Sequence, residues 1–324
     1  MKQFLVFPLI ILCLLLQQPA AAQGQGEVVL YTSTPQAKAD QLIMEFEKLH
    51  RGIKVVLFRG GTGKVVTKLL VEKQTGAPTA DVVLIADELN MESLKMKGLL
   101  STLPEHLIKG LPKGTYDKEL SYVGTREMST LLIHNSSLVS APTSWKDLLK
   151  AGPNRIAFVN PITSGAALAH LSWMVERFGW AYYEQLSTMP TLMSGSNGEV
   201  LRMVAEGKAA YGMVLDYMAV EGVRKGQPIG FTYPAEGVLG IFQPMALLKR
   251  AANREDALVF MRFVLSPPGQ QLFVSQGYHA LYGSGGIPKG YPPDDSYLRH
   301  PIEAKKTVDK LPELKETFHA IFGP

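Results

Sequence analysis

Cysteine is nearly absent from this chain. Its 324 residues hold one, Cys13, inside an apolar leader, so the body of the protein is expected to have neither disulfide nor thiol chemistry. Core burial alone has to hold it. A strong charge of one sign is missing too. Lys and Arg number 33 and Asp and Glu 29, a formal net charge of +4 with no basic stripe, which argues against nucleic acid as a partner. Beyond the leader no stretch approaches the roughly 20 apolar residues of a membrane span. His50, His106, His134, His170, His279, His300 and His319 show no paired H-x-x-x-H spacing, so a zinc site is not expected. There is no G-x-S-x-G elbow, and Gly60-Gly61-Thr62-Gly63-Lys64 lacks the spacing of a P-loop. The commonest catalytic arrangements are therefore missing, and no cofactor is implied.

The leader itself is informative. Lys2 precedes a nearly unbroken apolar run from Phe4 to Leu16, and Ala20-Ala21-Ala22 stands before Gln23. This reads as a secretory signal peptide over residues 1–22 with an A-x-A cleavage site, and it implies a periplasmic destination. Leu12, where a lipoprotein signal wants a small residue before Cys13, argues against a lipid anchor. Removing residues 1–22 takes away one Lys and no acid, lowering the charge from +4 to +3. The remainder is long enough for two domains of ordinary size.

Strands and helices alternate along that remainder. Val28 to Tyr31, Lys54 to Phe58 and Ala80 to Ile85 read as buried strands. A helix with apolar residues at Ala39, Leu42, Ile43, Phe46 and Leu49 and another through Val65, Val66, Leu69 and Leu70 separate them. The pattern predicts a mostly parallel sheet with helices on both faces, with ligands at the carboxyl ends of the strands. A second cycle follows, with strands at Arg155–Val159 and Ala209–Leu215 and a capped helix starting at Thr143-Ser144-Trp145. Extended crossovers near 130–135 and 240–248 would join two such units around a cleft. That is the geometry of a hinge-bending binding protein.

Between Arg155 and His170 the chain writes out a small anion trap. A short strand breaks at Asn160-Pro161-Ile162-Thr163-Ser164-Gly165, and Ala166 to Leu171 opens a helix. Thr163 or Ser164 is a good N-cap, and Gly165 lets the first turn come close to a ligand. A helix start offers unpaired N–H groups and partial positive charge, suited to phosphate, phosphonate or carboxylate. An ordinary cap is the plainer reading. Ser33 and Thr34 before the first helix, and Thr62 with Gly63 at the second, would supply further starts of the same kind.

Several segments together carry a family resemblance. They are Val28 to Ser33 after the leader, Ala80 to Ala86, Thr143 to Leu148, Gly207-Lys208-Ala209-Ala210-Tyr211-Gly212, Tyr233-Pro234-Ala235-Glu236-Gly237 and Ser266-Pro267-Pro268-Gly269-Gln270. In this order, over most of residues 27–282, the chain resembles the extracellular solute-binding proteins of ABC importers. Its greatest similarity is to the branch that binds ferric ion, phosphonates, hexose phosphates and thiamine. The resemblance implies a type II periplasmic-binding-protein fold of two α/β lobes, each a mixed, mostly parallel sheet flanked by helices, with a two-strand hinge. It also implies a protein without catalysis that delivers its solute to a membrane permease, and a monomer is expected. The expected division is 23–134 plus 245–283 for lobe 1 and 135–244 for lobe 2, with 284–324 a C-terminal loop and helix.

Ferric-ion binders of this branch use two adjacent tyrosines after the strand corresponding to Ala209–Leu215. This chain has Asp216-Tyr217-Met218 there, and a thioether is a poor exchange for a phenolate on a hard cation. Tyr182-Tyr183 is the other adjacent pair and reads as packing. The expected ligand is therefore a small organophosphorus solute, 2-aminoethylphosphonate or a sugar phosphate. Ferric ion through Tyr217 with a synergistic anion is the alternative, and a sensor-associated binding protein a further one. An exported phosphate-ester hydrolase lacks a recognisable nucleophile or metal cluster. The candidate ligand residues are Ser33, Thr34, Thr62, Thr163, Ser164 and Gly165 for the phosphoryl group, with Arg126 as a bidentate clamp. Asp216, Tyr217 and Glu236 are expected to read the other end, where a carboxylate would suit sugar hydroxyls or an ammonium.

Overall fold

The computed structural model describes residues 26–76, 79–153, 155–283 and 286–323. The expected signal peptide lies outside them. The apolar runs become eleven strands, β1 (Gly26–Thr32), β2 (Ile53–Arg59), β3 (Val82–Leu84), β4 (Val123–Asn135), β5 (Ile156–Val159), β6 (Thr191–Ser194), β7 (Tyr211–Leu215), β8 (Ile229–Thr232), β9 (Val238–Leu247), β10 (His279–Ala280) and β11 (Arg299–His300). They form one hydrogen-bonded path in the order β2-β1-β3-β9-β4-β7-β5-β6, with β8 and β10 added to β4 and β11 to β9. The strands β1, β2 and β3 run parallel at one end, and β5, β6 and β7 at the other.

Two long antiparallel strands join these ends. The β4 strand pairs with β9 over Val123–Ser129, then with β7 over Thr130–His134. The far end of β9, Met245–Leu247, pairs with β3. These are the crossovers expected from the sequence. All thirteen residues of β4 are buried, as a central strand covered on both faces requires. The half built on β1–β3 is called lobe 1 below, and the half built on β5–β7 lobe 2.

Helices cover both faces. Gln36–Leu49 buries Ala39, Leu42 and Phe46 at helical spacing. The turn after Ser144 is a 3₁₀ helix, Trp145–Lys150, where an ordinary helix was expected. Trp145 and Leu148, three apart, are both fully buried, and three residues per turn aligns them on one face. A capping box of Ser144 and Asp147 closes its start. Tyr182 and Tyr183 are buried on the helix Trp180–Ser187, and the Tyr182 hydroxyl donates to the Trp145 carbonyl at 2.9 Å.

The C-terminal segment touches both lobes. Lys305 bridges Asp117 at 3.5 Å and Glu119 at 2.9 Å in lobe 1. The helix Leu311–Phe322 sets Phe318 against Phe158 and Tyr183 of lobe 2. Between them β11 lies on β9, and Arg299 pairs with Glu127 of β4 at 2.9 Å.

Candidate functional site

The carboxyl ends of the strands open on a cleft of about 310 Å³ between the lobes. Lobe 1 contributes Ser33, Pro35, Arg59, Gly61, Thr62 and Ala86. The crossing strands supply Met128 and Gln243. Lobe 2 adds Thr163, Ser164 and Ala166, the run Gly195 to Gly198, and Leu215, Tyr217 and Met218. Five helices start on this wall, one of them at Leu215 with Asp216 as its first residue. Ser164 caps Gly165–Phe178, its Oγ accepting from the Ala167 amide at 3.3 Å. Ser196 caps Asn197–Ala205, accepting from Glu199 at 3.3 Å. The starts at Pro35 and Gly61 have no side-chain cap. Free N–H groups at such starts favour an anion.

The lobes meet at the edge of this cleft through three glycines. The Gly63 amide donates to the Thr163 carbonyl at 3.4 Å. A Cβ on Gly61 would lie 2.9 Å from that carbonyl oxygen, and one on Gly63 would lie 2.6 Å from that of Ile162. A Cβ on Gly165 would lie 1.8 Å from Asp87 Oδ2 and 2.8 Å from Thr62 Oγ1. So Gly165 permits a close approach, as its place in the sequence suggested, but the group approached is a side chain of lobe 1. Asp87 caps the helix Glu88–Met96, accepting from the Asn90 amide at 2.8 Å and its side chain at 2.9 Å. Burial holds its carboxyl above the ordinary range.

Six of the ten residues expected at the ligand, namely Ser33, Thr62, Thr163, Ser164 and Tyr217 together with Gly165 at their border, come together here. The charged candidates do not. Arg126 is fully buried, with its guanidinium stacked 4.3 Å from the Phe273 ring and 4.5 Å from the Tyr278 ring. Its Nη2 donates to Thr34 Oγ1 at 2.7 Å, which turns Thr34 inward as well. Asp216 opens the helix Asp216–Arg224 behind Leu215. It accepts from the amides of Ser129 at 2.9 Å and Tyr217 at 2.8 Å, tying β4 to that helix, and burial pushes its carboxyl up to about 7. Glu236 is away from the cleft. Its carboxylate accepts from the Ser144 hydroxyl and from the Trp145 amide at 3.4 Å, so the Pro-Ala-Glu-Gly turn folds back to cap the 3₁₀ helix. Satisfying a helix end and burying a strand end decided both carboxylates.

The cation on the cleft wall is Arg59, whose Nε donates to the Thr34 carbonyl at 3.1 Å. No ion pair to a carboxylate holds it among the described residues. Sequence reasoning passed it over as part of a glycine loop. It also missed Gly195 to Gly198, although Ser194-Gly195-Ser196-Asn197-Gly198 before an amphipathic helix has the same small, polar make-up as 160–165. Gln243 gave no local signal. Its Oε1 is buried without a partner while its Nε2 sits 3.2 Å from Met128 Sδ. The Tyr217 ring lies 4.5 Å from that of Tyr278 with Lys38 Nζ at 4.9 Å, and burial pushes its phenol well above the ordinary value.

Known proteins share this plan. The structure is similar to that of AfuA from Actinobacillus pleuropneumoniae with fructose 6-phosphate bound, with a TM-score of 0.84 and 18% identity over 92% of this chain and 99% of that one. It is similar to iron-bound HitA from Pseudomonas aeruginosa, with a TM-score of 0.80 and 19% identity over 90% and 99%. An uncharacterised Haemophilus influenzae protein is 24% identical over 273 residues, 79% of this chain and 78% of that one. No helix among the described residues is long and apolar enough to cross a membrane. The model of the bacterial extracellular solute-binding proteins matches residues 28–279. The chain belongs to that family, the solute-binding components of ABC importers, and it is a binding protein rather than an enzyme.

Proposed function

We propose that the protein captures a small organophosphorus solute between its lobes and hands it as a monomer to an inner-membrane ABC permease from the periplasm. One observation carries the reading. The cleft wall offers an arginine, several hydroxyls and five helix starts, and among its lining residues there is no carboxylate. Such a wall favours a phosphoryl group. The ammonium of 2-aminoethylphosphonate would find no acid in it, whereas the hydroxyls of a sugar phosphate have Gln243, Asn197 and the serines. A sugar phosphate is therefore the better fit. AfuA, whose structure holds fructose 6-phosphate, supports the same choice.

Ferric ion, the cargo in the HitA structure, is served poorly by this donor set. Tyr217 is the one phenol on the wall and is held protonated by burial, and the sulfurs of Met128 and Met218 are soft donors. The test is a thermal-shift and calorimetric panel of hexose phosphates, 2-aminoethylphosphonate, inorganic phosphate and Fe³⁺. A solute at about 100 times its Kd adds about 2.7 kcal/mol of stability. Replacing Arg59 by Gln should weaken a bound phosphate ester by roughly 10- to 100-fold, the value of a charged hydrogen bond. A coloured, iron-loaded protein indifferent to phosphate esters would overturn the reading.

A further inference from the structure

We propose that Arg126 is a buried counter-charge for the bound solute, selecting multiply charged anions without touching them. This rests on the reading of the cleft as an anion site. A guanidinium taken fully out of water normally sits against a carboxylate, because an unpaired buried charge is costly. Arg126 has no such partner among the described residues. Its faces meet the rings of Phe273 and Tyr278, Nη2 donates to Thr34, and the further polar group beside the guanidinium is the Tyr278 hydroxyl, so each of these partners is neutral. A second cation beside the Tyr278 ring, Lys38, is answered by a carboxylate. Its Nζ faces the Tyr217 and Tyr278 rings at 4.9 and 5.4 Å, and it has Glu221 at 3.9 Å. Arg126 keeps its charge unmatched.

Its position gives that charge a use. Thr34, which it holds, lies between Ser33 and Pro35, both on the cleft wall, and Tyr278, on which it stacks, rests against Tyr217, also on the wall. Thr34 is held by two arginines at once, Arg126 on its hydroxyl and the cleft's Arg59 on its carbonyl. The buried cation therefore stands one layer of side chains behind the place where a solute would bring negative charge. Screening by salt is weak through such a wall. A unit charge of the order of 10 Å away, at an effective dielectric of about 20, changes affinity roughly tenfold for each charge on the solute. A residue retained only for ring stacking would show no dependence on solute charge.

The test compares glucose 6-phosphate with glucose 6-sulfate at one pH, since the esters differ in charge and little in shape. Replacing Arg126 by Met should leave the ligand-free protein as stable as before or more so, because an unpaired buried charge is gone. It should also narrow the phosphate-to-sulfate affinity ratio about tenfold, and Arg126→Lys should keep most of that ratio. If Met does not fold, Arg126→Gln carries the same comparison. An unchanged ratio in the neutral variant, a ligand-free melting temperature that falls, or failure of both neutral variants to fold would each show a packing residue and overturn the inference. If no phosphorus compound shifts the wild type but a dicarboxylate does, the organophosphorus reading fails. The comparison then passes to that dicarboxylate and its half-amide, with the same expected narrowing. Binding of uncharged solutes alone would sink both.

Discussion

Adding one methyl group at Gly165 should separate closure of the lobes from stability of the fold. The Cβ of Gly165→Ala would lie 1.8 Å from Asp87 Oδ2, more than an ångström inside ordinary contact. Asp87 cannot swing aside cheaply, since Asn90 donates to it from both backbone and side chain and it is fully buried. Relief comes by parting the lobes at their edge, at a cost of about 1–3 kcal/mol typical of overpacking. A solute held by both lobes would then bind roughly 5- to 150-fold more weakly. Within lobe 2 the substitution is tolerated. Gly165 is the first residue of a helix and has no positive φ, so its backbone accepts Ala without strain. The ligand-free protein, free to part its lobes at that edge, should therefore lose less stability than the solute-bound protein loses affinity.

Titration calorimetry with the solute found by the panel, beside small-angle scattering with and without it, reads both effects. Gly165→Ala should bind more weakly and compact less. A rescue sharpens the test. Asp87→Ser keeps a helix-capping oxygen on a shorter side chain, so the double variant should regain affinity to within a few-fold of wild type. Gly63→Ala, whose Cβ would lie 2.6 Å from the Ile162 backbone oxygen, should resist rescue by any side-chain change. Wild-type affinity and compaction in Gly165→Ala would refute the idea that these glycines set the closed state.

Two further expectations follow from groups outside the cleft. Glu236→Gln should lower stability by about 1 kcal/mol through the weakened cap at Ser144 and Trp145, leaving solute affinity within twofold; a tenfold loss would return Glu236 to the site. His170 is buried against Trp145 and Trp173 with both ring nitrogens unpartnered, and burial pushes it down to about 3. The unfolded chain, with its ordinary value near 6.5, takes the proton first, so the stability of the native fold falls as pH drops from 6.5 toward 3. His170→Phe should remove about 2 kcal/mol of the loss between pH 7 and about pH 5. Parallel acid-denaturation curves for the two proteins would contradict this.

How much of this was legible in the sequence depended on how local the cause was. The strand-helix alternation, the crossing strands and the cap at Ser164 are written in neighbouring residues, and they appear as expected. The fate of charged residues was not, because it is settled by partners far along the chain. Asp216 is fixed by Ser129, Arg126 by Phe273 and Tyr278, and Glu236 by Ser144. Asp216 looked like a cleft residue because it follows a strand, Glu236 because it sits at a turn and Arg126 because it stands between a Gly-Thr step and a strand, and each is held by a partner about 90 to 150 positions distant. Gln243 reaches the wall only because β9 crosses it.

The pattern of those displacements is itself informative. The cleft wall presents mostly neutral donors and keeps a strong positive charge, Arg126, one layer back behind Thr34, while burial pushes Asp216 behind Leu215 toward its neutral form. Neutral donors bind an anion without carrying their own tightly held water or counter-ion. They exchange hydrogen bonds with little reorganisation, whereas a charge on the wall must be desolvated each time the lobes close. A charge already buried has met that cost during folding and acts on the solute at no further expense in water. Arg59 is the exception, and it stands at an uncapped helix start where solvent still reaches it. Such a wall predicts affinity that depends more on the number of charges on the solute than on ionic strength, which a salt titration of binding beside the phosphate-to-sulfate comparison can measure. A steep loss of affinity with salt would mean that exposed Arg59, and not the buried layer, governs recognition.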